Sequence, residues 1–439
     1  MITPEISVVM PVYNSVSTIK RAVDSILNQT YKDFEFIIIN EYGSNDGSKE
    51  YIEEIMKFDD RIILIQNEKK LGIAGSLNIG IHISKGKYVA RMDADDEALP
   101  DRFEIQHHFL LNNPSVSVCG TYIKMIFPYG ERLIHYPAEY EDIKARSLFV
   151  CPFAHPSVMM RRDFFGKDNM YDEVECAEDY ELWLRNVEHT NMTNLEEVTL
   201  NYYMDGVHAS SGGDSVSSGV RLRRGYLKNR LGLETKSFDD MVIIHLYWPK
   251  HFSSCHDAVI QSCMLYKEAE RANDIIKYCN TKTFRKNLDV LWTEALDMYF
   301  VKHCEGVTLK KEINWYDEGI LDYLSDCIKK FEQIADSLGN VIIYGTGDIC
   351  KFFMIDTPYN IEVISYCDSN GEKWGNVFLD KEVISPDAIN SKHYDHILIA
   401  TYDYYDDIKE KLINEYNVNT SKIESIEIIK FAPLKERMC

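Results

Sequence analysis

From Ile6 to about Ser84 the chain repeats one alternation, a short β-branched run followed by an amphipathic stretch. ISVVMPV (6–12), FEFIIIN (34–40), RIILIQN (61–67) and KYVARM (87–92) are apolar runs of strand length. Between them, Val16 to Asn28, Lys49 to Lys57 and Ile73 to Ser84 have helical spacing, as in Ile19, Val23, Ile26 and Leu27. A strand that is apolar on both faces has to be covered on both, and strand–helix alternation supplies the cover. The pattern therefore predicts an α/β architecture with a doubly wound, mostly parallel sheet. Ligands meet such a sheet outside the carboxyl ends of its strands, so the polar residues just past each strand are the candidates for chemistry.

Further on, the spacing predicts a helix over Arg102 to Leu111 and strands over Val116 to Phe127 and His155 to Arg162. A helix over Glu178 to Glu188 and a strand over Val198 to Tyr203 follow, and the Gly/Ser-rich stretch His208 to Gly219 reads as a loop. Helical periodicity then dominates to about Leu338, and strand–helix alternation returns with NVIIYGTG, IEVISYCDSN and DHILIATY. A chain of 439 residues exceeds one ordinary core, so three segments are expected: 1–215, 216–338 and 339–439.

The formal net charge of −22 repels a phosphate backbone and argues against nucleic-acid binding. The eleven cysteines form no CxxC pair, a spacing expected of reduced thiols in a cytoplasmic protein. No apolar run approaches the roughly 18 residues that span a bilayer, so membrane contact is expected only at the surface. Arg221, Arg224 and Lys228 share one helical face, with Arg223 and Arg230 beside it. That cluster reads either as a contact for anionic lipid or lipid diphosphate, or as a set of salt-bridge partners.

The densest chemical signal is YVARMDADDEALPDRFEIQ. Asp93 and Asp95 follow a buried strand at the ligand edge, and carboxylates so close repel unless a cation lies between them. Oxygen-only ligands select hard ions such as magnesium or manganese, which clamp phosphate oxygens. An acidic cap for the helix at Arg102 is the alternative. Glu178 and Asp179 pose the same choice, as helix caps or as catalytic carboxylates, and Trp183 on the same face reads as sugar platform or core.

Four motifs in order resemble the family 2 glycosyltransferases, an inverting group with the glycosyltransferase-A fold. They are MPVYN (10–14), GSNDGS (43–48), ARMDADD (90–96) and AEDYELWLR (177–185), and the resemblance spans roughly Ile6 to Ser211. It implies a sugar transferred from a nucleotide diphosphate donor, first among them UDP-sugars, to an acceptor hydroxyl on a glycan or lipid-linked glycoconjugate of a bacterial surface polysaccharide. It implies that Pro11, Tyr13, Asn14, Glu41, Gly72, Asn78 and Asp93 line the nucleotide-sugar site, and that Asp95 holds Mn²⁺ or Mg²⁺. His208, in HASS, is added as a ligand of the metal or diphosphate. Asp179 is implied as the general base. Where the family commonly has DDGS this chain has EYGS, so Glu41 is one methylene longer than the aspartate that grips a uracil ring. His155 matches a family position near the acceptor, but is expected to be a buried, hydrogen-bonded histidine. The implied setting is cytoplasmic, with peripheral contact at the inner face of the cell membrane.

In the last segment Gly345 and Gly347 follow a buried strand, and Asp368 ends the next one about 20 residues later, the start of a dinucleotide fingerprint. The segment resembles small Rossmann-like domains attached to polysaccharide enzymes and implies a second nucleotide site at these three residues. Cys350 stands where a third glycine would be. Two other readings remain open: NAD-linked sugar chemistry in this segment, and a non-catalytic sugar-nucleotide binding protein.

Overall fold

The computed structural model describes residues 3–127, 130–166, 170–173, 176–204, 213–243, 255–300, 315–316, 337–347, 350, 361–400 and 404–425. His208 lies outside them. The chain divides into two compact units, Met1–Thr235 with Ala272–Asn287, and Lys236–Arg271 with Leu288–Cys439.

In the first unit the predicted alternation is present: β1 (Ile6–Val12), α1 (Ile19–Leu27), β2 (Phe34–Asn40), α2 (Ser48–Ile55), β3 (Ile62–Gln66), α3 (Gly72–Ile83) and β4 (Tyr88–Arg91). After them come β5 (Glu97–Ala98), α4 (Arg102–Asn112), β6 (Val118–Phe127), β7 (Gly130–Ile134), α5 (Tyr140–Arg146), β8 (Met159–Arg161), α6 (Glu178–Asn186), β9 (Met192–Tyr203) and α7 (Gly213–Leu231). Strand order is β3-β2-β1-β4-β8-β6-β9-β5, with β7 paired to β6. The half β3-β2-β1-β4 is parallel and its centre is apolar on both faces, as its sequence requires. Beyond β4 the sheet turns mixed, because β8 runs antiparallel to both β4 and β6. Helix α3 lies directly on the sheet: a Cβ at Gly80 would come within 2.4 Å of Val9 and 2.9 Å of Ile39.

Three expectations need correction. His155–Arg162 is not one strand. A 3₁₀ turn covers His155–Ser157, where Pro156 has no N–H for a ladder and the Ser157 hydroxyl bonds back to the Ala154 carbonyl, leaving a strand of three residues. The strand expected at Val198 begins at Met192, six residues earlier, because it pairs along almost the whole of β6. The loop expected through Gly219 is helical from Gly213 onward.

In the second unit, α8 (Asp240–Ile243), α9 (Cys255–Ile276) and α10 (Thr281–Phe300) lead toward a sheet, with α9 and α10 straddling the boundary between units. The sheet comprises β10 (Asn340–Tyr344), β11 (Glu362–Cys367), β12 (Val377–Phe378), β13 (Lys381–Ile384), β14 (His396–Ile399) and β15 (Ile423–Ser425), and α11 (Tyr405–Asn414) follows β14. Its order is β12-β13-β11-β10-β14-β15, parallel except for β12 at the edge. No helix among the described residues is long and apolar enough to cross a membrane.

Candidate active site

The loop after β4 is built by its neighbours. The Thr18 hydroxyl donates to the Ala94 carbonyl at 2.9 Å, Arg21 donates to the Asp95 carbonyl, and the Met92 N–H donates to Val9 at 3.1 Å. So fixed, the carboxylates of Asp93, Asp95 and Asp96 converge, with one oxygen of each within 4.8 Å of the others. Asp96 is the member that sequence reasoning missed. It is 1% exposed, accepts the Tyr203 N–H at 3.0 Å through Oδ1, and leaves Oδ2 buried with no partner. Burial, then the Asp93 and Asp95 charges, push its carboxyl well above the usual range. Asp93 is also raised, by burial first, against the pull of Arg91. Crowded, desolvated, all-oxygen and with one orphaned oxygen, this donor set fits a hard divalent cation.

Arg91 links the loop to the second carboxylate cluster. It is 3% exposed, pairs with Asp93, and lies near enough to Asp179 and Glu178 to favour their ionised forms. A charged residue inside the apolar run YVARM was the signal for it, since a buried charge is retained only with partners. Asp179 opens α6 and accepts the Tyr180 N–H at 2.7 Å and the Cys151 thiol at 3.7 Å. Burial raises its pKa, while the Tyr180 N–H and Arg91 oppose the rise. Beside it, burial and then the Asp179 charge push Glu178 up to about 8. His155 is buried, exchanges a 2.7 Å hydrogen bond with the Tyr171 hydroxyl and is held well below its ordinary pKa by burial, so it is a neutral core histidine. Trp183 belongs to the core as well, fully buried 5.1 Å from the Phe153 ring.

Of the residues that the resemblance assigns to the nucleotide, Pro11 lies within β1 opposite Ile39 and Tyr13 stands exposed just past the strand. Asn14, at φ +48°, ties two loops by accepting the Asn45 N–H at 3.0 Å and donating its own N–H to Ser44 at 3.1 Å. Glu41 does not face outward. It is 6% exposed and its carboxylate accepts the N–H groups of Gly72 at 2.6 Å and Leu71 at 3.1 Å, at the start of α3. Gly72 adopts φ +72°, which lets its N–H meet that carboxylate. Asn78 clamps the Tyr171 backbone through both ends of its amide, at 2.9 and 3.0 Å.

In the second unit Gly345 has φ +105° and its N–H bonds the Cys367 carbonyl at 2.7 Å. Asp368 turns onto this glycine bend, accepting the Thr346 N–H at 3.0 Å, its hydroxyl at 2.5 Å and Lys373 at 2.9 Å. Burial raises its carboxyl, but the bonds from Thr346, Asn370 and Lys373 outweigh that and hold it below its usual range. A Cβ at Gly347 would meet nothing within 4 Å. Four of the five basic residues of α7 are engaged within the first unit: Arg223 on the Phe149 carbonyl, Arg224 on that of Thr235, Lys228 with Glu234 and Arg230 with Glu188.

The sheet of the first unit presents an aspartate trio, with a second pair of carboxylates coupled to it through Arg91. The family model for glycosyl transferase family 2 matches residues 7–167, and a model named C2185-like, N-terminal, matches 337–424. An uncharacterized glycosyltransferase of Haemophilus influenzae is 31% identical over 56% of this chain and 80% of its own length. The O-antigen biosynthesis glycosyltransferase WbnJ of Escherichia coli is 35% identical over 45% of this chain and 78% of its own. Among solved structures, S. aureus TarS 1-349 in complex with UDP-GlcNAc matches at 16% identity and a TM-score of 0.43, covering 67% of this chain and 91% of that one. That likeness is too low to add to the assignment. The chain belongs to glycosyl transferase family 2, and it is a glycosyltransferase with an α/β, glycosyltransferase-A-like fold.

Proposed function

We propose that the first unit is an inverting, divalent-metal-dependent transferase that moves a sugar from a nucleotide diphosphate, with UDP-sugars the leading donors, to an acceptor hydroxyl. The WbnJ relative supports a surface polysaccharide or glycoconjugate as the product, with a glycan or lipid-linked acceptor. The observation that carries the reading is Arg91, a single buried cation paired with Asp93 and felt by Asp179, which joins the aspartate trio to the second carboxylate cluster.

In this reading Asp95, with Asp93 and Asp96, holds Mg²⁺ or Mn²⁺, and His208 is a further candidate ligand. When bound, the cation supplies charge neutralisation for the departing diphosphate. Asp179 then takes the proton of the attacking hydroxyl, since in-line displacement at the anomeric carbon requires the acceptor to lose it. Arg91 favours the ionised Asp179 that this task needs. Pro11, Tyr13, Asn14 and Gly72 line the donor site, while Glu41 and Asn78 shape it through the segments they hold. Divisions at 1–215, 216–338 and 339–439, a Rossmann-like last segment with a second nucleotide site at Gly345, Gly347 and Asp368, and a cytoplasmic enzyme touching the inner membrane face complete the proposal.

Nucleoside diphosphate release from a panel of sugar nucleotides tests it. Excess chelator is expected to abolish turnover and manganese or magnesium to restore it. Full activity in chelator would overturn the metal-dependent assignment.

A further inference from the structure

Among the described residues, two hydrogen bonds from other residues hold the Asp179 carboxylate, one on each oxygen. Oδ1 accepts the Tyr180 N–H at 2.7 Å, and Oδ2 accepts the Cys151 thiol at 3.7 Å. The Tyr180 amide lies in the first turn of α6, where N–H groups lack an intrahelical partner, so the helix itself secures the first oxygen. Cys151 is the donor that comes from elsewhere in the fold. A carboxylate has about four lone-pair positions, so the arrangement leaves room for the proton that a base must accept.

The segment that carries Cys151 is pinned on both sides of it. The Ser147 carbonyl accepts the Tyr180 hydroxyl at 2.5 Å, and the Phe149 carbonyl accepts Arg223 Nε of α7 at 2.6 Å. Arg223 also lies over the Tyr180 ring, 4.3 Å from its centroid, so one guanidinium joins the segment to the first turn of α6. Past Cys151, the Pro152 carbonyl accepts the Asn194 amide at 3.1 Å and the Phe153 ring packs on Trp183. Pro152 disfavours a helical backbone at Cys151, which keeps α5 from running on into the segment.

Burial, and then the Asp179 charge, hold the thiol well above its ordinary pKa, so it remains an S–H donor. Its single hydrogen has a second acceptor, the Phe153 carbonyl at 3.4 Å. An ionised carboxylate is the stronger acceptor of the two. Once Asp179 has taken a proton from the attacking hydroxyl, the thiol hydrogen can turn to Phe153, so neither state strands the donor. A thiol is also a weak donor, and it orients the carboxylate while taking little of its basicity.

We infer that Cys151 is a positioning residue for the general base, its thiol fixing the rotation of the Asp179 carboxylate from outside α6. The inference rests on the reading of Asp179 as the base and deepens it.

The test is a double-mutant cycle on the full chain in manganese, with the sugar nucleotide that releases its diphosphate in the panel above. Cys151→Ala should lower kcat by about 3- to 30-fold, the worth of one weak hydrogen bond to a charge, and leave the donor dissociation constant unchanged. Cys151→Ser keeps a donor and should recover most of the lost kcat. On an Asp179→Asn background, Cys151→Ala should change kcat no further, because residues that act through one group are not additive. Parent-like kcat in Cys151→Ala, or the same fractional loss on both backgrounds, would overturn the inference and leave the base reading intact. So would a loss in Cys151→Ala that Cys151→Ser does not recover. Parent-like turnover by Asp179→Asn would remove the base reading and this inference with it.

Discussion

Arg91 joins the two acidic clusters, because it pairs with Asp93 and its charge favours the ionised forms of Asp179 and Glu178. With its charge removed, Asp179 would keep the burial that raises its pKa and lose one of the contacts that oppose it. Asp179 acts as a base only when ionised, so activity falls as pH drops through its pKa. Arg91→Met is therefore expected to move the acid limb of the kcat profile to higher pH, and Arg91→Lys to restore part of the shift. An unmoved limb in Arg91→Met would detach Arg91 from the base. Asp93, Asp95 and Asp179 could be singled out in the sequence as carboxylates directly after a strand or opening a helix, and the motif resemblance, not their spacing, favoured chemistry over helix capping. Asp96 was not legible, since its meaning lies in burial: the same letter on a solvated loop would be ordinary surface charge, whereas Arg91 carried a signal as a charge inside an apolar strand. Glu41 shows the limit from the other side. Its position at a strand end was legible, but the direction of its side chain depends on α3, thirty residues away in sequence.

At the scale of elements, the aspartate loop is held from behind by α4. Arg102 is fully buried, donating to the carbonyls of Arg91 at 2.8 Å and Val158 at 3.2 Å, and Gln106 donates to those of Cys119 and Ser157, both at 2.8 Å. Burial and the neighbouring Arg91 charge lower the Arg102 pKa to about 9. Arg102→Met keeps the bulk and removes this donor from the Arg91 carbonyl, while the Val158 carbonyl keeps the Arg91 N–H at 3.1 Å, so one buried carbonyl loses a partner at a cost of about 1–3 kcal/mol. Urea denaturation should show a loss of that order, and a variant as stable as the parent would contradict this role. The parallel half of the sheet was readable because continuous β-branched runs have one economical solution. The mixed half was harder, since β5 has two residues and β8 three, too short for periodicity to register. The early start of β9 escaped notice because the polar stretch Asn194 to Glu197 interrupts its apolar pattern, while its pairing with β6 carries it through.

Across the whole molecule, every described residue assigned to donor, metal or base lies in the first compact unit, and the motif-bearing strands of the second begin at Asn340. A chain ending at Leu338 should therefore still bind a sugar nucleotide, whatever it loses in acceptor choice or regulation. A folded truncation that binds no donor in calorimetry would tie the last segment to the active site. The boundary of the first unit was only partly legible, because Ala272–Asn287 joins it from a distant stretch: Lys286 and Asn287 both bond Asp142, at 2.7 Å. No spacing rule marks such a return. The measurement that tests the central claim most directly is the kinetics of Asp179→Asn with a turned-over donor and its acceptor. The substitution preserves shape and removes the base, so kcat should fall about 100-fold or more while the donor dissociation constant stays within a few-fold of the parent. Normal turnover by Asp179→Asn would place the base elsewhere and contradict the account.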